Sequence, residues 1–290
     1  MTEIGRVAIL GAGQIGTMLG QSLMETGADP GPAAVAIFDR NPAVARASVA
    51  LGGAQVALER AETALDADTV ILAMPVDEIV RWVEEWGGRL HPGTLLIDTG
   101  SAKGQVVAAM RTFVGESVNA VGGHPICGNE MSGPGAARRG VLQGATFALT
   151  PVRTDHVALA RATALVRRLG AVPLQLSWER HDHILARVSH LPHLLATALA
   201  GVCARADDDR ELVRAMVGTG YLGASRLAEA NPDMVASFVL ANSAEVAEAL
   251  EEFGRELMVV AQTIGAGGES LRSALTNGSE SRRELVALSA

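Results

Sequence analysis

Cysteine is scarce in this 290-residue chain: Cys127 and Cys203 are the only two. Two thiols make no disulfide framework, and the usage fits a reducing cytoplasm. Lysine is scarcer still. Of 24 basic residues 23 are arginine, and Lys103 is the exception. Basic charge as a whole is in deficit. The net charge of −8 and a pI near 5.4 argue against the clustered basic face that nucleic acid requires. No apolar run reaches the roughly 18 residues of a membrane span. The chain enters the strand-like Val7–Leu10 almost at once, so no signal peptide is expected. Internal repeats and low-complexity tracts are also missing. What is present in quantity is apolar: 48% hydrophobic residues and a mean hydropathy of +0.23 supply a large core and exclude disorder as the dominant state.

The first half alternates short apolar runs with amphipathic stretches, the pattern of βαβ units on a parallel sheet. Strands are expected at Val7–Leu10, Val35–Asp39, Val70–Met74, Leu95–Asp98, Ala120–Gly122, Phe147–Thr150 and Val172–Leu176. A helix with Ile15, Met18, Leu19 and Leu23 on one face follows the first strand and stops at Gly27. After Leu176 the pattern turns helical, with Ser177 as N-cap. Helices are expected over Trp178–Ala206, Arg210–Val217, Ala224–Ala230, Pro232–Ile264 and Glu269–Leu288. The fold class is therefore α/β: a Rossmann-type parallel-sheet domain over 1–176, then an all-helical domain over 177–290. Asp207-Asp208-Asp209 reads as a solvated turn between helices, since a short acidic cluster without convergent partners makes no metal site.

Gly11-Ala12-Gly13-Gln14-Ile15-Gly16 matches G-x-G-x-x-G between a strand and a helix, the context that dinucleotide binding needs. Gly11 allows the tight turn, Gly13 lets a pyrophosphate approach the backbone, and Gly16 allows close packing of helix on strand. The helix start, with Gln14 and Ile15, offers N–H groups to the phosphates. Asp39 stands 23 residues after Gly16, where a carboxylate accepts both ribose hydroxyls of NAD and repels a 2′-phosphate. Arg40 beside it favours a 2′-phosphate, so NAD is the expectation and NADP stays open. Ala73, Met74 and Pro75, at the end of the third strand, are further candidates for the cofactor cleft.

Three other segments point at the same crevice. Asp98-Thr99-Gly100-Ser101-Ala102-Lys103 leaves a strand's carboxyl end, and the single lysine there is either a local need for an ammonium group or a chance relic. Gly122-Gly123-His124-Pro125 carries a histidine at the end of another strand. Ser189-His190-Leu191-Pro192-His193 lies within a helix, His190 and His193 sharing a face with Arg187 and His183. Pro192 should kink that helix between the two imidazoles, at a cost of about 3 kcal/mol that stability alone does not explain. His181, His183, His190 and His193 lack a convergent cysteine or carboxylate to complete a zinc set, so no metal is expected. Cys127 reads as a packing cysteine.

These residues resemble the prephenate/arogenate (cyclohexadienyl) dehydrogenases of tyrosine biosynthesis. The likeness runs over about residues 6–285. It is carried by His124-Pro125-Ile126-Cys127-Gly128-Asn129-Glu130-Met131-Ser132-Gly133, by Glu179-Arg180-His181-Asp182-His183 with the Ser189–His193 segment, and by Ser225-Arg226-Leu227-Ala228 with Asn231-Pro232. The resemblance implies an NAD-dependent oxidative decarboxylation and a homodimer formed through the helical domain. By the same resemblance His124 accepts the proton of the ring C4 hydroxyl, aided by Ser101. His193 lines the substrate and nicotinamide region with His190 behind it. Arg226 binds a substrate carboxylate, and Asn129 and Glu130 belong to a polar loop over the substrate. Where family members often carry a basic–acidic pair and a tryptophan, this chain has Leu222, Gly223 and Val235. Those departures leave a 4-amino-4-deoxyprephenate-like substrate open beside prephenate and arogenate. A β-hydroxyacid dehydrogenase or imine reductase using Lys103 as acid, and a dinucleotide sensor without turnover, are the other readings. No fused mutase or regulatory module is expected.

Overall fold

Alternation along the strands decides which core each side chain joins. In the first strand, β1 (Arg6–Leu10), Val7 and Ile9 face one cluster, while Ala8 and Leu10 face the other. The computed structural model describes residues 4–25, 32–128 and 131–287; Gly27, Asn129, Glu130 and Leu288 fall outside them. The further strands are β2 (Ala34–Phe38), β3 (Val56–Ala57), β4 (Thr69–Leu72), β5 (Leu95–Asp98), β6 (Asn119–Pro125), β7 (Thr146–Pro151) and β8 (Val172–Gln175). They form one sheet in the order β3-β2-β1-β4-β5-β6-β7-β8. β1 pairs in parallel with β2 and β4, setting Ile9 against Ile37 and Ile71. The order reverses beside β1, which opens a ligand crevice at the carboxyl ends of the central strands.

Helices cover both faces. α1 (Gln14–Met24) and α5 (His156–Arg168) bury Leu19, Leu23, Leu165 and Val166 in the first cluster. α3 (Val76–Trp86) and α4 (Gly104–Phe113) bury Ile79, Val83, Val107 and Met110 in the second. The smaller α2 (Pro42–Ala50) is capped by Asn41, whose side chain accepts from the Ala43 N–H. The expected parallel sheet holds from β3 to β6, but β7 runs antiparallel to β6 and β8 follows β7. Among the described residues of 126–145 the only element is a short 3-10 turn, and a parallel return would need a full crossover element.

The helices after Ser177 differ from the expected set in three places. Ser177 does cap α6 (Trp178–Leu185), accepting from the Arg180 N–H. The long helix is then interrupted by a π turn, Ala186–His190, before α7 (Leu191–Cys203). Pro192 has no N–H to give, and the widened turn absorbs that loss in place of a simple kink. It also moves His190 into the interior while His183 stays exposed, so these two do not share a face as expected. α8 (Arg210–Ala215) is capped by Asp209, consistent with the acidic triplet as a turn. α9 (Thr219–Ser225) starts before the expected Ala224, and Arg226–Glu229 is a 3-10 turn. The single helix expected over Pro232–Ile264 is two, α10 (Pro232–Ala241) and α11 (Ser243–Ala266), separated where Asn242 leaves helical backbone angles.

Contacts divide the chain into two compact units, Met1–Ser243 and Ala244–Ala290. The first continues past Leu176 because α6 and α10 are bonded onto the sheet layer: Asp182 accepts from the first N–H groups of α4, and Ser237 Oγ donates to Asp77 Oδ1 on α3 at 2.7 Å. The second holds the body of α11 and α12 (Gly268–Ala287), with the positive-φ Gly267 turning one into the other. Leu257, Met258, Val259, Ile264 and Leu275 of this unit are exposed in the single chain. No helix among the described residues is long and apolar enough to cross a membrane.

Candidate active site

The carboxyl ends of β1, β4, β5 and β6 open on one cleft of about 680 Å³, closed on the other side by residues of α7, the Arg226 turn and α10. At the end of β1, Gly11 sits at φ 100°, where a side chain would also run into the Ala73 carbonyl. A side chain at Gly16 would run into the Gly11 carbonyl, whereas the space over Gly13 is open. Gly13 is the N-cap of α1 and offers no side-chain acceptor, so the helix's first N–H groups are not capped from within. Gln14, Ile15, Ala73, Met74 and Pro75 line the cleft as expected of cofactor contacts.

Asp39 and Arg40 stand apart from that cleft, at the tip of β2. The Asp39 carboxylate accepts the Ala12 N–H at 3.0 Å and the Asn41 N–H at 2.9 Å. Arg40 Nη1 donates to Glu78 Oε1 at 2.6 Å, which holds the guanidinium on α3.

The β5 and β6 ends carry Ser101 and His124, both in the cleft wall. A buried carboxylate stitches these ends together. Asp98 Oδ1 accepts the Gly123 N–H at 3.0 Å, and Oδ2 accepts the Gly100 N–H at 2.8 Å. The Lys103 ammonium completes the knot, donating to Asp98 Oδ2 and, at 2.7 Å, to the Gly123 carbonyl. Lys103 is 0% exposed and does not line the cleft. Burial pushes its pKa down while Asp98 pulls it back up. The expectation of a catalytic lysine is corrected accordingly: its ammonium is used up in holding two strand ends, out of reach of a ligand.

His124 Nδ1 lies 2.9 Å from Nε2 of the buried His181. Burial, then the neighbouring His181, Lys103 and His190, keeps the His124 imidazole well below its ordinary 6.5. A neutral ring lining the cleft is the state a proton acceptor needs.

His190, expected among the catalytic residues, is fully buried behind the wall. Its Nδ1 accepts from Asn242 Nδ2 at 3.3 Å, so its Nε2–H donates to the Ser101 carbonyl at 3.2 Å. Burial pushes it down to about 4. It therefore bonds the Ser101 backbone from behind the wall and is not among the residues lining the cleft. His193 does line the cleft, with its Nδ1–H donating to the Leu227 carbonyl at 3.3 Å, beside Arg226. Phe238 stacks on His190 at 4.7 Å between ring centres and tilts against His193 at 5.5 Å. Arg226 joins them in the wall, and Cys127 is a half-buried lining thiol raised to about 11 by burial. Asn129 and Glu130 lie outside the described residues.

Sequence reasoning passed over Asp98 and Asn242 as site residues and Phe238 as the shared ring, and weighed His181 only as a zinc ligand. Asp98 and His181 stood inside quoted motifs, but only contacts over long sequence separations reveal their use. Nothing local marked Asn242 or Phe238.

Comparison with known proteins agrees with this fold. The nucleotide-binding domain of prephenate dehydrogenase matches residues 23–174, and the prephenate dehydrogenase dimerization domain matches residues 177–276. A prephenate dehydrogenase of Bacillus subtilis is 30% identical over 197 residues, 66% of this chain and 52% of that sequence. A probable prephenate dehydrogenase of Streptomyces niveus is 30% identical over 88% of this chain and 68% of its own length. The match thus spans about half the length of the first of these relatives. The crystal structure of prephenate dehydrogenase from Aquifex aeolicus, in complex with hydroxyphenyl propionate and NAD+, superposes with a TM-score of 0.88 at 28% identity, covering 98% of this chain and 99% of that one. With a Rossmann-type sheet, a helical region after it and both domain models matched in order, the chain belongs to the prephenate dehydrogenase family.

Proposed function

We propose that the chain catalyses the NAD-dependent oxidative decarboxylation of a cyclohexadienol carboxylate: prephenate to 4-hydroxyphenylpyruvate, or arogenate to tyrosine. The observation that carries this reading is His124, a neutral imidazole anchored at one nitrogen in a cleft that also holds the glycine loop and Arg226. The residues fit a dinucleotide, because the space over Gly13 is open and the start of α1 has no internal cap. Gly11, Gly13, Gly16 and the α1 N–H groups would hold the pyrophosphate, and Asp39 the adenosine ribose. Glu78 occupies Arg40, which supports NAD over NADP. When bound, the nicotinamide supplies the two-electron hydride acceptor.

His124 takes the C4 hydroxyl proton as that carbon is oxidised, and Ser101 hydrogen-bonds the same hydroxyl or the histidine. Arg226 holds a substrate carboxylate; its planar fork suits a bidentate grip. His193 lines the space between substrate and nicotinamide. Asn129 and Glu130 are assigned to substrate binding. Lys103 and His190 position the two strand ends and do no chemistry, which removes the acid that a lysine-dependent reductase would use. Residues 1–176 serve the nucleotide and 177–290 the substrate and a homodimer, for which the exposed apolar side chains of α11 and α12 supply contact area. The setting is the reducing cytoplasm, in keeping with the free thiols Cys127 and Cys203.

His124→Asn tests the reading. It lowers kcat by a factor on the order of 10²–10⁴ while NAD affinity stays unchanged. An unaltered kcat would remove His124 from the mechanism. Leu222, Gly223 and Val235 support a second reading on a 4-amino-4-deoxyprephenate-like substrate. Side-by-side kcat/KM values on prephenate, arogenate and the amino analogue separate the two.

A further inference from the structure

The hydrogen bonds behind His124 run in one direction only. His181, fully buried, places its Nε2 2.9 Å from His124 Nδ1 and its Nδ1 2.7 Å from Asp182 Oδ1. Asp182 also accepts the Lys103 N–H at Oδ1 and the Gly104 N–H at Oδ2, each at 2.8 Å, at the N-terminus of α4. A carboxylate whose two oxygens collect three N–H donors at a helix start acts only as an acceptor. His181 Nδ1 must therefore carry the proton it shares with Asp182. That leaves Nε2 of a neutral His181 as an acceptor, so His124 Nδ1 must be the donor of the bond between the rings. The remaining nitrogen, His124 Nε2, then holds a lone pair, and no described residue hydrogen-bonds it.

We propose that Asp182 and His181 form a positioning pair that locks His124 in the Nδ1–H tautomer, presenting Nε2 to the cleft as the proton acceptor. The proposal rests on the reading of His124 as acceptor and adds the reason it has the correct tautomer. Free histidine in water favours the opposite, Nε2–H form, so an unassisted ring would mostly meet a substrate hydroxyl with a donor.

The step balances without further proton movement. The substrate O–H bond breaks, an N–H bond forms at His124 Nε2, and the imidazolium so made keeps its Nδ1–H on His181. The Asp182 carboxylate keeps its bond to His181 and favours that imidazolium through the intervening ring. Lys103 and His190, which face the same ring, oppose it. Burial also keeps His181 below its ordinary 6.5, so the relay stands in its neutral, directional state at neutral pH. The residue types suit this arrangement. It needs a buried ring with a nitrogen at each end, and a carboxylate able to bond that ring while capping a helix.

The test uses the full chain labelled with 15N-histidine, the His124 signals being assigned by their loss in His124→Asn. In the unsubstituted protein near pH 7.5, His124 is expected to show a protonated, pyrrole-type Nδ1 and a bare, pyridine-type Nε2. The reverse pattern would overturn the proposal whatever the enzyme's activity. His181→Leu removes the acceptor. It should return His124 toward Nε2–H and lower kcat by on the order of 10²-fold, with KM and NAD affinity within about twofold. His181→Gln, whose side-chain carbonyl can still accept, should keep the Nδ1–H signal and recover most of kcat. If His181→Leu kept the Nδ1–H tautomer and its kcat, the pair would serve only to cap α4. If the tautomers behave as stated but no cyclohexadienol turns over, the positioning pair stands and the proposed reaction fails.

Discussion

Lys103→Met separates a structural lysine from a chemical one. The ammonium and the Asp98 carboxylate are both 0% exposed, and the ammonium also bonds the Gly123 carbonyl at 2.7 Å. Methionine fills a similar volume but leaves a buried carboxylate without its countercharge. Breaking a fully buried pair from one side costs about 3–5 kcal/mol. The lower end is favoured here, because Asp98 keeps the Gly100 and Gly123 N–H groups. At roughly 2–4 °C per kcal/mol for large domains, Tm should fall by on the order of 6–15 °C. Urea unfolding should show the same loss at an unchanged m-value. Asp98→Asn added to Lys103→Met should restore part of the stability, since the uncompensated charge goes, but the second acceptor oxygen is lost. Below its own Tm the single variant should retain measurable turnover. A stability within 1 kcal/mol of the parent, as an order-of-magnitude threshold, combined with abolished turnover would refute this assignment and return Lys103 to the chemistry.

Arg226→Ala should chiefly raise KM for the carboxylate substrate, by on the order of 10-fold or more, with a smaller change in kcat; a loss confined to NAD affinity would reject its role. The acid limb of the kcat/KM–pH profile should lie below 6.5, because burial holds His124 beneath that value; a limb at or above 6.5 would contradict it. Stability should fall on acidification as well. His190 titrates near 6.5 unfolded and about 4 folded, so the unfolded chain takes up its proton first, and on the order of 3 kcal/mol present above pH 6.5 is lost progressively toward pH 4. Unfolding free energies flat across that window would show that the ring is not buried neutral. Asp39→Ala should narrow the preference for NAD over NADP, measured as the ratio of kcat/KM values; an unchanged ratio would place discrimination elsewhere.

What the sequence made legible was local. The glycine loop, the run of β1 and the Ser177 cap are set by neighbouring residues, and each lies where periodicity and capping rules put it. β3 was invisible because two residues carry no period. The reversal at β7 depends on how residues 126–145 return, which strand patterning does not encode. The break at Asn242 comes where its side chain bonds Asp182 and His190, contacts 60 and 52 residues away. Lys103 is the instructive case. A lone lysine among arginines did signal a need for an ammonium group, but the need was a compact buried donor for Asp98 and Gly123. His124, Ser101, His193 and Arg226 do share one cleft, whereas His190 was drawn inward by the π turn before Pro192.

The central claim is the reaction itself, and product analysis meets it most directly. Incubating the protein with NAD and prephenate, and separately with arogenate, should yield NADH, carbon dioxide and the aromatic product in equal amounts with at least one of the two. Reduced cofactor without carbon dioxide, or no turnover with either substrate or with the amino analogue, would contradict it.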